Sequence, residues 1–79
     1  MPIFVKFFPT LINYTKSRQE KYEMAWKPGL TVQDILDAEE LDEEHIDAIA
    51  TLVNLVQSHF ETELQDGDEV EFLVSIAGG

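Results

Sequence analysis

Apolar positions along the chain follow a period of two near both ends and a helical spacing between them. From Ile3 to Phe8, Ile3, Val5 and Phe7 share one face of a predicted strand, and Phe4, Lys6 and Phe8 share the other. Pro9 cannot donate to a ladder and ends the pairing. Residues 10–19 are polar enough to form an exposed connection with one helical turn. A second strand is predicted over Lys21 to Trp26, with Tyr22, Met24 and Trp26 alternating against Lys21, Glu23 and Ala25 before Lys27-Pro28-Gly29 breaks it. Thr31 has N-cap chemistry, and Gln33 and Asp34 suit the positive end of a helix dipole. Val32, Ile35 and Leu36 supply the inward stripe of that helix, which Leu41 extends or follows.

Beyond it, Asp42 to Asp47 reads as a polar bridge with room for a further helical turn. Ile46 to Val53 is expected to form a third strand, although Ala48-Ile49-Ala50 fits a helix equally well. His59-Phe60 is expected to form a short fourth strand. Asp66-Gly67 is a tight turn, and Glu69 to Ile76 is the last strand, with Val70, Phe72 and Val74 on one face. The order β-β-α-β-β predicts an α+β fold: a mixed sheet of four to five strands with one main helix packed on one face. It forms one domain over residues 1–79, without repeat or linker. If the first and last strands lie parallel at the sheet centre, Phe8 and Leu73 fall on the face opposite the helix. Two apolar residues there make a candidate docking patch.

At 79 residues with 44% hydrophobic side chains, the chain can build one small core with a thin margin of stability. It has no cysteine, so no disulfide, thiolate metal site or cysteine nucleophile is available, and any sulfur chemistry must use another atom. A formal charge of −11 argues against nucleic acid and against the anionic membrane face. The acids concentrate between Asp34 and Glu71, as a solvated surface or as a field steering the domain toward a basic partner. No apolar run spans a bilayer and Met1-Pro2-Ile3-Phe4 shows no signal-peptide pattern, so the default compartment is the cytoplasm. Glu43, Glu44, His45 and Asp47 diverge on one turn without a metal-binding spacing, and no metal site is predicted. His59 reads as a surface residue, and Trp26 and the phenylalanines read as core. No Ser-His-Asp set or glycine-rich phosphate loop is present.

The sequence closes on Gly78-Gly79. A terminal glycine pair is most often a frayed end, but here it follows directly on a predicted strand, and glycine leaves the backbone slim enough to thread a narrow cleft. The expectation is that the Gly79 carboxylate is the reactive group, with Gly78 supplying reach. Together, Leu64-Gln65-Asp66-Gly67-Asp68-Glu69-Val70-Glu71-Phe72, Ile76-Ala77-Gly78-Gly79, Phe7-Phe8-Pro9-Thr10-Leu11, Val53-Asn54 and Thr31-Val32-Gln33-Asp34-Ile35-Leu36 resemble the ThiS/MoaD sulfur-carrier family. The resemblance implies the ubiquitin-like β-grasp fold and a cosubstrate rather than a free-standing catalyst. An adenylyltransferase related to ubiquitin-activating enzymes would use ATP to adenylate Gly79, and a sulfur donor would convert it to a thiocarboxylate. No cofactor is implied on the chain itself. Phe8, Leu73, Ile76 and Ala77 are the expected partner contacts. The resemblance is closest to the molybdopterin branch, whose partner is the large subunit of molybdopterin synthase; thiazole synthase is the rival partner within the family. Phe7-Phe8 resembles the molybdopterin branch, and the short Leu41–Asn54 stretch the thiazole branch. The molybdopterin branch often carries Arg-Glu where this chain has Ile12-Asn13, and prolines where it has Val74-Ser75. A ubiquitin-like modifier joined to lysines through Gly79, or an interaction module with an inert tail, are the alternatives from other functional classes.

Overall fold

The computed structural model describes residues 2–74. In chain order the elements are β1 (Ile3–Phe7), α1 (Pro9–Ile12), β2 (Lys21–Met24), α2 (Val32–Ala38), α3 (Glu43–Ile46), β3 (Ile49–Val53), β4 (Val56–Gln57) and β5 (Glu69–Val74). They form one five-stranded sheet in the order β2-β1-β5-β3-β4. β1 and β5 are parallel at its centre, with Phe7 opposite Phe72, and the remaining pairs are antiparallel. A parallel pair needs a long crossover, and everything from α1 to β4 lies within it.

Strand parity is as the alternation predicts. Ile3, Val5 and Phe7 of β1, and Val70 and Phe72 of β5, are buried beneath Val32, Ile35 and Leu36 of α2. The Phe7 and Phe72 rings stack with centroids 4.9 Å apart, and Tyr22 of β2 continues the row at 6.4 Å from Phe7. Thr31 caps α2 as expected. Its hydroxyl accepts from the Asp34 N–H (3.3 Å) while Asp34 Oδ2 accepts from the Thr31 N–H (2.9 Å), a reciprocal box that satisfies two otherwise orphaned donors.

Several boundaries differ from the sequence expectation. β1 ends at Phe7, because Phe8 is the residue leading into α1, and Pro9 sits at the start of that helical turn where a missing N–H is harmless. β2 stops at Met24 rather than Trp26. Met24 pairs with Ile3, the first residue of β1, and Trp26 turns to donate its indole N–H to the Leu64 carbonyl (2.8 Å). β3 begins at Ile49, since Glu43–Ile46 is helical and Ala48 closes that turn on His45. The fourth strand is Val56–Gln57, not His59-Phe60. A hairpin through Asn54 and Leu55, both at positive φ (51° and 69°), returns the chain at once. Residues 59–63 serve the helix instead of the sheet, for the Phe60 and Thr62 carbonyls accept the N–H groups of Gln33 and Val32. Those are first-turn donors of α2, which have no partner inside the helix.

Two polar groups inside the fold have consequences. Glu39 is 3% exposed and accepts from the Ser17 N–H (2.9 Å) and the Ser17 hydroxyl (2.6 Å), fastening the α1–β2 connection to the end of α2. Burial, and then the hydrogen bond and negative charge of Glu39, push the Tyr22 phenol well above its ordinary value. A raised folded-state value means that the fold holds a proton that the unfolded chain gives up. Tyr22 should therefore contribute its full stability below pH 10.0, the ordinary phenol value, and lose it as the pH rises beyond that. Thermal melts of the wild type and of Tyr22→Phe should differ by a constant amount below about pH 10, and the difference should shrink above it. Thr51, on the buried face of β3, has a hydroxyl without a hydrogen-bond partner among the described residues. Thr51→Val keeps the shape and removes a desolvated hydroxyl, so it should stabilise the domain by about 1 kcal/mol in urea unfolding.

Candidate functional site

The face of the sheet away from α2 is ordered in rows by the strand registers. Across the Val74 end of β5, Phe8, Leu73 and Ala50 lie side by side. The Phe8 N–H donates to the Phe72 carbonyl (2.8 Å), and Leu73 pairs with Ala50. Phe8 is 41% exposed, and Leu73 and Ala50 are half-buried. The next row runs Lys21, Lys6, Glu71, Leu52 and Gln57, with Lys6 Nζ 3.8 Å from Glu71 Oε2. Glu23, Phe4 and Glu69 make the third. The face is thus apolar beside the Val74 end of β5 and charged further away. An open groove of about 530 Å³ lies over the charged rows, lined by Phe4, Lys6, Lys21 and Glu69 among others and bordered by Leu55. The mixed signs of its lysines and glutamates match no single ligand charge.

Of the sequence-predicted site residues, Phe8 and Leu73 are brought together on this face. Ile76, Ala77, Gly78 and Gly79 lie outside the described residues. Among the described residues, no three His, Cys, Asp or Glu side chains are placed to hold a metal ion. His45 stacks on Tyr14 at 3.9 Å between ring centroids, away from any joint role with Glu43, Glu44 and Asp47. Ala50 and Leu52 join the face without having stood out in the sequence. Their only signal is the period-two pattern of β3, obscured because the same residues fit a helix. Leu55 is a further residue that the sequence pattern does not flag. It is 80% exposed at positive φ, a conformation that β-turns normally give to Gly or Asn.

What holds β5 in place is a latch between two short motifs. The Asn54 side-chain amide donates to Asp68 Oδ1 (2.9 Å), and Asn54 Oδ1 accepts from the Glu69 N–H (3.0 Å). The Asn54 N–H donates to the Glu69 carbonyl (2.7 Å). Asp68 also takes the Gln65 N–H on Oδ2 (2.8 Å), and its carbonyl accepts the Phe4 N–H (2.9 Å). Gly67, at φ 88°, makes the reversal that presents Asp68 to all three segments. The latch sets the register of β5 between β1 and β3, and hence which residue of β5 comes to lie beside Phe8.

Comparison with solved structures places this architecture in a known class. SAMP1 from Haloferax volcanii superposes with a TM-score of 0.73 at 19% identity, covering 100% of both chains. A chain of the complex of subunits 1 and 2 of the molybdopterin-converting factor from Helicobacter pylori gives 0.62 at 24% identity, again over 100% of both. Urm1 from Trypanosoma brucei gives 0.69 at 20% identity, over 99% of this chain and 95% of that one. The fold is the ubiquitin-like β-grasp. The model of the ThiS family matches residues 5–79, and the chain belongs to that family of ubiquitin-like sulfur carriers. A search of curated proteins finds no match. Among the described residues, no helix is long and apolar enough to cross a membrane.

The latch is open to a direct test. Asn54→Ala removes the amide contacts and puts a Cβ-bearing residue without compensation at positive φ, and should cost about 2–3 kcal/mol. Asn54→Gly relieves the backbone strain and should cost about 1 kcal/mol less. Equilibrium urea unfolding of both variants separates the side-chain contribution from the conformational one.

Proposed function

We propose that this protein is a sulfur-carrier cosubstrate that works through the Gly79 carboxylate in molybdopterin synthesis. The observation that carries this reading is the family match, which runs through Ile76-Ala77-Gly78-Gly79 to residue 79. A carboxylate is a poor electrophile because it is anionic and lacks a leaving group. An ATP-using adenylyltransferase removes both obstacles: a Gly79 oxygen attacks the α-phosphorus of ATP, pyrophosphate leaves, and an acyl-adenylate results. A sulfur donor then attacks the acyl carbon and AMP departs, leaving a thiocarboxylate on a chain that has no cysteine of its own. The carrier contributes a slim tail and a docking face, and its partners supply positioning and charge stabilisation.

The molybdopterin pathway is favoured by the full-length superposition on a chain from a complex of molybdopterin-converting factor subunits. In this reading the Phe8–Leu73–Ala50 row docks on the activating enzyme and on the large subunit of the synthase. Lying beside the Val74 end of β5, five residues before Gly79, it would hold the tail toward a partner's cleft. The net charge of −11 assists encounter with basic surfaces more than it prolongs the complex. A second reading, a modifier joined to lysines, is favoured by the superposition on SAMP1, described in another crystal structure as a small archaeal modifier protein. Thiazole synthesis is the alternative acceptor pathway within the family.

Intact mass of the protein from its native cell distinguishes these readings. Replacement of one oxygen by sulfur supports the carrier, a ladder of conjugates supports the modifier, and an unchanged mass under all growth conditions overturns both. Deletion of Gly79, or Gly78→Phe, should abolish ATP-dependent adenylation. Melting temperature should hold, since glycine brings no side chain to a core. Phe8→Ala and Leu73→Ala should each weaken binding to the partner enzyme by about 2 kcal/mol in calorimetry with the domain still folded, as truncation of an interface anchor does. Unchanged affinity in both would confine recognition to the tail.

A further inference from the structure

β2 is an edge strand, and its outward face is self-complementary. Phe7 donates to the Glu20 carbonyl, and in the same register Val5 pairs with Tyr22 and Ile3 with Met24. Antiparallel ladders alternate, so the backbone groups of Tyr22 and Met24 turn toward β1 while those of Lys21 and Glu23 turn away from the sheet. Among the described residues, no backbone or side-chain hydrogen bond from elsewhere reaches those outward groups. β4, at the opposite edge, is only two residues long.

We propose that a second copy of this chain docks antiparallel along β2, about a two-fold axis at Tyr22, to make a continuous ten-stranded sheet. In this register Lys21 of each copy faces Glu23 of the other. Both are the outward residues, so each pair can exchange two N–H···O bonds and carries opposite charges on exposed side chains. Slipping the register by two residues either way places Lys21 against Lys21 or Glu23 against Glu23. A lone lysine on an edge strand discourages pairing; a lysine and a glutamate two apart permit one symmetric register and penalise its neighbours. On the helix side, Tyr22 would meet Tyr22 of the second copy at a non-hydrogen-bonded position, where side chains approach most closely. That contact continues the aromatic row of Phe72, Phe7 and Tyr22 across the axis. The β5 strands of the two copies run in opposite directions and stay clear of the contact, so the arrangement does not depend on the function proposed for the tail.

Sedimentation equilibrium of the full chain from micromolar to millimolar concentration, at about 0.15 M salt to screen the −11 charge of each copy, tests the assignment. The wild type should show a monomer–dimer equilibrium. Two-fold symmetry counts each substitution twice, so Lys21→Glu or Glu23→Lys alone should weaken dimerisation by about tenfold. The double variant Lys21→Glu/Glu23→Lys restores both opposite-charge pairs and should recover the wild-type constant within about threefold. In the wild type, amide exchange at Lys21 and Glu23 should slow as concentration rises, while Tyr22 and Met24 amides, already bonded to β1, should not respond. A wild type that stays monomeric over the whole range would overturn the proposal. So would charge variants that dimerise like the wild type, a double variant no better than the singles, or exchange at Lys21 and Glu23 that ignores concentration.

Discussion

The parallel pairing of β1 with β5, sealed by the stacked rings of Phe7 and Phe72, is the constraint on which the rest of this small domain depends. It joins segments from opposite ends of the chain, so its closure must offset the entropy of a long loop. Both rings are fully buried, which supplies the apolar burial that such an offset requires. With the pair in place, β2 and β3 have inner edges to bind, and α2 has a surface to cover. A domain of this size has no second core to fall back on.

The same pairing places the apolar row at one end of the sheet. β5 runs alongside β1, and at its Val74 end Phe8 lies beside Leu73 and Ala50. The Asn54–Asp68 latch at the other end of β5 keeps the strand from sliding, because a slip of one residue would turn every side chain of the strand to the wrong face. Two sequence motifs that look unrelated, a hairpin asparagine and a turn aspartate, are one device.

Polar groups inside the fold have a second role. Glu39 is buried without a cationic partner among the described residues, yet its carboxylate oxygens receive the Ser17 N–H and hydroxyl. Hydrogen bonding to an ionised group is among the stronger polar contacts, and it anchors a connection with little apolar content. The Phe60 and Thr62 carbonyls do the same for the start of α2. Loops in this protein are tied down by specific acceptors as well as by buried side chains of their own, Leu30, Leu41 and Leu64 among them.

Much of this is legible from residue order alone. Alternation sets the parity of β1 and β5 because adjacent side chains on a strand point to opposite faces, a local fact that needs no partner. Thr31 and Asp34 mark the start of α2 for the same reason, since a capping box is closed within four residues. Ala48-Ile49-Ala50 is ambiguous in sequence because short apolar runs suit helix and strand alike, and only pairing with Leu73 and Val74 makes a strand from Ile49 onward. The sequence misplaces His59-Phe60 because the role of Phe60 as acceptor for α2 comes from a helix far away along the chain. The latch, the buried Glu39 and the apolar row beside the Val74 end of β5 are likewise decided by tertiary structure. Each is a contact between segments that sequence order keeps apart, and local propensity carries no information about which distant donor will meet which acceptor.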